Sequence, residues 1–327
     1  MRKLNENEID ALKKQGCTAE NWLDITVADD FGTEHIHQTN FYGEVTLGTF
    51  RKTIEINEGF YKHSGIRRAT LRNCIIGNDC LIEDVGCINT TPDACFGEGR
   101  IIPVLNEVGN GNVMIFDGLH SQLASLMIKY EQDKDFTDTV HQLVKKSIAD
   151  HSLPITTIGN DVRITATHDI TNCHINDGSI IDGALRLRDC TLKSIQEACV
   201  TIGIGVICQN SVIYNGSTIT NSAKLKNCFV GEACEITDGF TAENSLFFAN
   251  CYMSNGEACA AFCGPFSASH HKSSLLIGGM YSFYNAGSGT NFSNHAYKMG
   301  PLHWGVLERG TKTASGSYIL MPAQIGT

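Results

Sequence analysis

Residues 207–230 read ICQNSV IYNGST ITNSAK LKNCFV when they are divided into groups of six. Each group opens on an aliphatic residue, namely Ile207, Ile213, Ile219 and Leu225. An α-helix needs apolar residues at intervals near 3.6 and an amphipathic strand at intervals of 2, so a sustained interval of six fits neither element. The interval fits a short strand followed by a sharp bend, repeated many times.

The residues between the aliphatic positions suit such bends. Asn210, Asn215, Gly216 and Asn221 belong to the two residue types that adopt left-handed backbone at the lowest cost. Three bends would close a coil of about eighteen residues, and stacked coils would form parallel sheets with strands about 4.8 Å apart. The sequence therefore predicts an all-β chain folded as a parallel β-helix, with ladders of aliphatic and small residues inside.

The same interval recurs in other parts of the chain. The aliphatic residues in step are Ile76, Ile82 and Ile88 in one block, Ile158, Ile164 and Ile170 in a second, and Val230 and Ile236 in a third. Recurrence over several blocks indicates that the repeat determines the architecture of most of the chain.

Two segments have helical patterns instead. Near the N-terminus, Asn5 and Glu8 form a capping-box pattern and Gly16 follows as a stop signal. Between residues 119 and 149, apolar residues recur at helical spacing in two runs separated by an Asp-Lys-Asp sequence, which predicts an inserted helical hairpin.

These patterns suggest four regions. We expect an N-terminal helix and extended cap over residues 1–40, the first coils over 41–116, the helical hairpin over 117–152 and the main β-helix over 153–327. The hairpin is expected to serve in packing or oligomer contact more than as an active-site lid.

Composition narrows the class of function. The net charge of -10 over 327 residues, without a basic stripe, argues against nucleic acid or an anionic membrane as a partner. The sequence has neither a signal-peptide pattern nor an apolar run that could cross a bilayer, so we expect a cytoplasmic protein. Most of the 14 cysteines fall within the repeats, where reduced thiols are expected to pack as small apolar groups.

Histidines are concentrated in residues 243–313, with His270, His271 and His295 as the candidates for chemistry. Imidazole titrates near pH 6.5 and can both accept and return a proton. Three interpretations stay open for this group: a catalytic base, a structural role in turns, and a metal site to which Cys259 or Cys263 would contribute.

Several aliphatic-glycine pairs match a known repeat motif, namely Ile76-Gly77, Ile158-Gly159, Ile202-Gly203 and Val230-Gly231. With these pairs the chain resembles the left-handed β-helix or hexapeptide-repeat superfamily, and the left-handed winding is implied by that resemblance alone. Residues 245–313 further resemble a family of uncharacterised proteins from Bacteroides and related bacteria. Members of that family are about twice as long, so this chain is expected to be part of a longer protein.

The superfamily resemblance implies a function. Its enzymes are mostly trimeric acyltransferases that use acyl-CoA or acyl-carrier-protein donors and a histidine general base. For this chain the resemblance implies a homotrimer without a bound cofactor, acyl-CoA as a candidate co-substrate, and a sugar or nucleotide-sugar acceptor. The predicted catalytic residues are His270, His271 and His295, and the predicted substrate-binding residues are Asn285, Asn294, Lys298 and Arg309.

Two alternatives remain at this stage. The first is a non-catalytic scaffold or binding protein in which the histidines are structural. The second is a metal-dependent enzyme of the gamma carbonic anhydrase type, although no residue of this sequence is assigned as a metal ligand.

Overall fold

A computed structural model describes residues 1–105, 111–293 and 304–326. Short parallel strands stack in successive coils, and the predicted parallel β-helix is confirmed. The helices are α1 (Glu6–Lys14), α2 (Ser121–Lys129) and α3 (Lys134–His151), with a 3₁₀ helix at Trp22–Asp24.

The strands before the helical insertion are short at the N-terminus and longer in the first complete coils. They are β1 (Arg2–Lys3), β2 (Thr18–Ala19), β3 (Ile25–Val27), β4 (Ile36–His37), β5 (Asn40–Leu47), β6 (Thr53–Asn57), β7 (Phe60–His63), β8 (Gly65–Ile76), β9 (Leu81–Asn89), β10 (Arg100–Pro103) and β11 (Asn112–Ile115). β1 pairs antiparallel with β3, β6 with β7, and β10 with β11.

The strands after the insertion belong to the main stack of coils. They are β12 (Thr156–Ile158), β13 (Arg163–Thr165), β14 (Asp169–Ile175), β15 (Ile180–Asp182), β16 (Arg186–Lys193), β17 (Thr201–Ile202), β18 (Ile207–Tyr214), β19 (Thr218–Ile219), β20 (Lys224–Lys226), β21 (Phe229–Val230), β22 (Glu235–Thr237), β23 (Thr241–Glu243), β24 (Leu246–Phe247), β25 (Tyr252–Ser254), β26 (Glu257–Cys259), β27 (Phe262–Cys263), β28 (Ala268–Ser269), β29 (Leu275–Ile277), β30 (Met280–Tyr281), β31 (Asn291–Ser293), β32 (Val306–Leu307), β33 (Tyr318–Leu320) and β34 (Gln324–Ile325).

The coils in the centre of the stack are 17 residues long, not the predicted eighteen. Ile202 pairs with Ile219 and Ile219 with Ile236, so partners in adjacent coils differ by 17 in number. One corner is shorter by one residue, because Cys208 and Ile213 both point inward and are only five residues apart.

This shorter corner changes the role of Ile207. It is only half-buried and pairs with Arg186 and Lys224, while Cys208 beside it is fully buried in the interior. The prediction that Ile207 points inward is therefore wrong. The later aliphatic positions Ile213, Ile219 and Leu225 are buried as predicted.

Asparagines occupy the short corner and link neighbouring coils. Asn210, Asn227 and Asn244 have φ values of 50°, 53° and 50°. Nδ2 of Asn210 donates to Oδ1 of Asn227 at 3.1 Å, and Nδ2 of Asn227 donates to Oδ1 of Asn244 at 2.9 Å. Asparagine thus supplies both the left-handed backbone and a hydrogen bond to the next coil.

The N-terminal helix has the predicted caps. The Asn5 side chain accepts from the Glu8 N–H at 2.9 Å, and the Glu8 carboxylate accepts from the Asn5 N–H at 2.9 Å. Helix α1 ends at Lys14, and Gly16 follows with φ of +80°. Leu12 is fully buried in the main core, so α1 covers apolar interior of the first coils.

The predicted insertion is confirmed as the helix pair α2 and α3, preceded by the β10–β11 hairpin. It packs on an outward-facing apolar column of the β-helix formed by Val212, Phe229, Leu246 and Phe262 in successive coils. The insertion's contribution to this second core includes Ile102, Val104, Val113, Ile115, Phe116, Leu119, Ala124, Met127 and Val144.

Parts of the predicted helical faces stay in solvent. Leu126 and Leu143 are 43% and 62% exposed. By contrast, the cysteines expected inside the coils are buried there: Cys74, Cys80, Cys173, Cys190, Cys228 and Cys234. Within the described ranges no helix combines the length and the hydropathy needed to cross a membrane.

The asparagine corner makes a stability prediction. Asn227→Ala removes both ladder hydrogen bonds and places a Cβ residue without a polar group at φ +53°. We expect a loss of about 2–4 kcal/mol in the free energy of unfolding, measured by urea denaturation. Asn227→Gly is the matched control, because it keeps the backbone freedom and loses only the hydrogen bonds. A larger loss for Gly than for Ala would contradict this explanation.

Candidate functional site

One outward-facing column of side chains on the β-helix is polar in its first coils and apolar in the later coils, which the insertion covers. Successive coils place Thr157, His174 and Thr191 in register, and Val212 follows Thr191 in the next coil. From Val212 onward the column is apolar and covered by the insertion. At its polar end the insertion instead leaves space between itself and the column.

That space consists of two adjoining cavities, which together we name the helix-covered cleft. The first, of about 440 Å³, is lined by residues that include His151, Thr157, His174, Asp177, Thr191 and Lys193. The second, of about 580 Å³, is lined by residues that include Glu44, Asn73, Thr90, Thr91, Cys95 and Phe96. Both cavities share Glu98, Ile148 and Ser152 on their walls.

His174 is held firmly in the cleft wall. Its Nε2 lies 2.9 Å from the Leu153 carbonyl oxygen, and its ring stacks on Phe96 at a centroid distance of 3.9 Å with an interplanar angle of 8°. Thr191 donates to the Phe96 carbonyl at 2.8 Å and so fixes the stacking partner.

The environment of His174 favours the neutral imidazole. Burial is the largest effect and lowers its pKa from the ordinary value of 6.5, against backbone hydrogen bonds to Leu153 and Ile155 that act to raise it. A carbonyl oxygen can only accept, so Nε2 carries the proton and Nδ1 carries the lone pair. His174 is thus an oriented neutral base at pH 7.

Glu98 is the second perturbed group of the cleft. Burial raises its pKa, and the neighbouring Asp117 carboxylate adds to the effect. The Asp117 N–H donates to Oε1 of Glu98 at 2.7 Å. Glu98 therefore keeps its proton to a higher pH than an exposed glutamate does.

Two side chains contact the Asp117 carboxyl group. Lys193 Nζ lies 2.7 Å from Oδ2, and the Tyr214 hydroxyl donates to Oδ1 at 2.7 Å. The same hydroxyl accepts from the Gly118 N–H at 2.6 Å. Within the cleft, the raised pKa of Glu98 suits a proton donor and the lowered pKa of His174 suits a proton acceptor.

The predicted residues of the C-terminal coils are partly brought together. The rings of His270 and His271 are 4.2 Å apart, and Tyr252 stacks on His270 at 5.3 Å. His271 is exposed, whereas Nδ1 of His270 is buried and has no hydrogen-bond partner among the described residues. Asn285 is exposed in the coil next to theirs, where it pairs with Ala268.

The other predicted residues do not complete that site. Arg309 is exposed, with its guanidinium 4.2 Å from the ring centroid of Phe283. His295, Asn294 and Lys298 lie outside the described residues. Over residues 1–105, 111–293 and 304–326, no three His, Cys, Asp or Glu side chains are grouped so that they could hold a metal ion.

The residues of the helix-covered cleft were missed by sequence reasoning. The sequence pattern singles out His270, His271 and His295 instead of His174, and the segment around Glu98 has no repeat from which its position could be predicted. A usable signal was the column itself, since one position per coil changes from polar (His174, Thr191) to apolar (Val212, Phe229).

The whole chain, residues 1–327, matches the family described as Domain of unknown function (DUF4954). The chain belongs to this family. An uncharacterized protein of Treponema pallidum (strain Nichols) is 25% identical over 325 residues, which cover 90% of this chain and 45% of that protein. The chain thus spans less than half the length of this relative.

The predicted membership of an uncharacterised family is confirmed by this match. Membership of the hexapeptide-repeat superfamily stays a prediction. The family description assigns no activity, so the chemistry of this DUF4954 chain has to be argued from its own residues.

Glu98 gives the DUF4954 chain a testable pH dependence. A carboxyl whose pKa is raised on folding contributes its full stability below the unfolded pKa of 4.5, and loses it as the pH rises through the folded pKa. Glu98→Gln cannot ionise and still accepts from the Asp117 N–H. We expect equal unfolding free energies for variant and parent near pH ~4 and a more stable variant at pH ~8, by chemical denaturation.

Glu235→Gln is the control for this measurement, since it removes one carboxylate from an exposed strand position. The explanation fails if Glu98→Gln is destabilised equally at every pH, because that result would give Glu98 a purely structural role.

Proposed function

We propose that this chain is an acyltransferase-like enzyme that acylates a small acceptor, such as a sugar, in the helix-covered cleft. The observation that carries the proposal is the neutral, oriented imidazole of His174 on the cleft wall. The resemblance to the hexapeptide-repeat superfamily supports acyl transfer as the reaction type, since its enzymes use a histidine general base.

The proposed step uses the groups of the cleft in defined roles. His174 Nδ1 accepts the proton of an acceptor O–H or N–H while the oxygen or nitrogen bonds to the acyl carbon of a thioester such as acyl-CoA. The carbon–sulfur bond breaks, and the thiolate takes up one proton to leave as a thiol. Glu98 lines the same cavity, and its raised pKa makes it suited to supply that proton.

A second location for the base is the predicted group at His270 and His271. One observation favours it: the Nδ1 atom of His270 is buried and lacks a partner among the described residues. The two locations make opposite predictions for single variants, so one experiment separates them. The predicted homotrimer and the cytoplasmic location stay predictions.

His174→Asn is the direct test. Purified protein is incubated with a panel of acyl-CoA donors and sugar acceptors, and acylated products are measured by mass spectrometry. We expect turnover in the parent and a decrease of about 10²–10⁴-fold in His174→Asn, as for loss of a general base. His141→Asn, on α3 and away from the cleft walls named above, is the matched control and should keep the parent rate.

His271→Ala completes the comparison. Loss of turnover in His271→Ala with retention in His174→Asn would move the base to the predicted group and contradict the proposal. Absence of turnover in the parent across the panel would favour the non-catalytic scaffold. Stoichiometric zinc, iron or cobalt in elemental analysis would favour a metal-dependent enzyme.

A further inference from the structure

The charges on the walls of the helix-covered cleft are unevenly divided. The acidic lining residues are Glu44, Glu98, Asp117 and Asp177. Among the described residues that line the cleft, Lys193 alone is a lysine or arginine. Charge lining a recess with protein walls acts strongly on a ligand, because field lines are focused there.

Lys193 already forms an ion pair with a carboxylate. Its Nζ lies 2.7 Å from Oδ2 of Asp117, and both groups lie beside Glu98 and the Tyr214 hydroxyl. A phosphate that bound to Lys193 would lie beside the Asp117 carboxylate, whose negative charge repels it.

Asp177 and Glu98 form no direct salt bridge within the described residues, although the nearby charges of Lys193 and His151 act to lower the pKa of Glu98. Asp177 Oδ1 accepts from the Asn160 N–H at 2.7 Å, and Oδ2 lies 3.3 Å from the Asn160 side-chain nitrogen. Glu98 accepts from the Asp117 N–H through Oε1. Both groups therefore have neutral hydrogen-bond donors and retain the capacity to bind a positive charge.

The histidines of the cleft do not reverse this balance. His174 is half-buried, and burial lowers its pKa, so it adds no permanent positive charge. His151 Nδ1 lies 2.9 Å from the Ser147 carbonyl oxygen. Around them the walls offer hydroxyl and amide groups from Thr90, Thr91 and Asn73. These neutral polar groups suit a hydroxylated ligand.

We infer that the acceptor of this cleft is a small hydroxylated primary amine, such as an amino sugar, and that Glu98 and Asp177 select for its positive charge. The inference rests on the proposed function for the reaction, but the binding preference can be measured without it. It disfavours phosphorylated and nucleotide-linked sugars, which carry the wrong charge for these walls.

The amine also gives a balanced reaction. The bound ammonium group loses one proton to His174, the free amine nitrogen bonds to the acyl carbon of the thioester, and the carbon–sulfur bond breaks. The nitrogen then loses a second proton to the thiolate, so this acceptor does not need Glu98 as the acid. The products are an amide, a thiol and one proton, which His174 passes to solvent. Burial raises the pKa of Glu98, so part of this carboxyl group is protonated before the ligand binds. A bound cation favours the ionised carboxylate, so binding itself should release protons.

The test uses calorimetric titration with D-glucosamine, D-glucose and D-glucose 6-phosphate as probes, in the absence of an acyl donor. Ethanolamine with ethylene glycol forms a second, smaller amine–alcohol pair. We expect each amine to bind at least about tenfold more tightly than its alcohol, and the phosphate not to bind. Titrations in two buffers of different ionisation enthalpy should show proton release with the amine alone.

Variants assign the preference to the two carboxyl groups. Asp177→Asn and Glu98→Gln keep the side-chain oxygen that accepts the local hydrogen bonds, and each should reduce amine affinity by about tenfold or more. Asp182→Asn is the control, since this exposed carboxylate accepts from Thr165 on the outer surface. Thermal melts of all three confirm folding.

Three results would overturn the inference: an alcohol or phosphate probe that binds as tightly as its amine, the absence of binding by both amines, or unchanged amine affinity in both variants. Failure of the proposed function is distinguishable. Amine binding without acyl transfer would leave this inference standing, and acyl transfer to alcohols without an amine preference would overturn it alone.

Discussion

The stacking of each coil on the next in exact register is the constraint from which the rest of this structure follows. Partners 17 residues apart place Ile on Ile and Asn on Asn, so backbone hydrogen bonds, buried side chains and corner asparagines all repeat together. The register is kept across the long insertion. Ile76 pairs directly with Ile158, although the β10–β11 hairpin and both inserted helices lie between them in sequence.

An excursion of that kind can only pack against an outer face, because the coil interior is already filled. The insertion finds an apolar column at Val212, Phe229 and Leu246, where each buried side chain contributes about 1.5–3 kcal/mol. Where the same column is polar, Phe96 and Leu153 on either side of the insertion contact His174, but the space beside it is not filled. A cleft remains there, with His174 and Glu98 on its walls. The packing of the insertion thus has two effects: it stabilises the protein, and it forms the cleft that is the candidate site.

The sequence was sufficient for the architecture because the repeat is local: hexads predict strands, bends and an interior without knowledge of distant residues. The prediction failed at Ile207. The corner that follows is one residue shorter than a hexad requires, so Cys208 takes the inward position that was predicted for Ile207. It also missed His174, because the partners that orient it, Phe96 and Leu153, come from two segments without repeats, one before β10 and one after α3. His270 and His271 were recognised only because they are adjacent in sequence.

The central claim is that the space between the insertion and the polar end of the column is a ligand site. A crystallographic fragment screen, with crystals soaked in a mixture of small polar amines and alcohols, tests it most directly. The account predicts that bound fragments cluster between His174, Glu98 and Asp177. Fragments that avoid this cleft and collect beside His270 and His271, or a cleft filled by the side chains of α3, would contradict it.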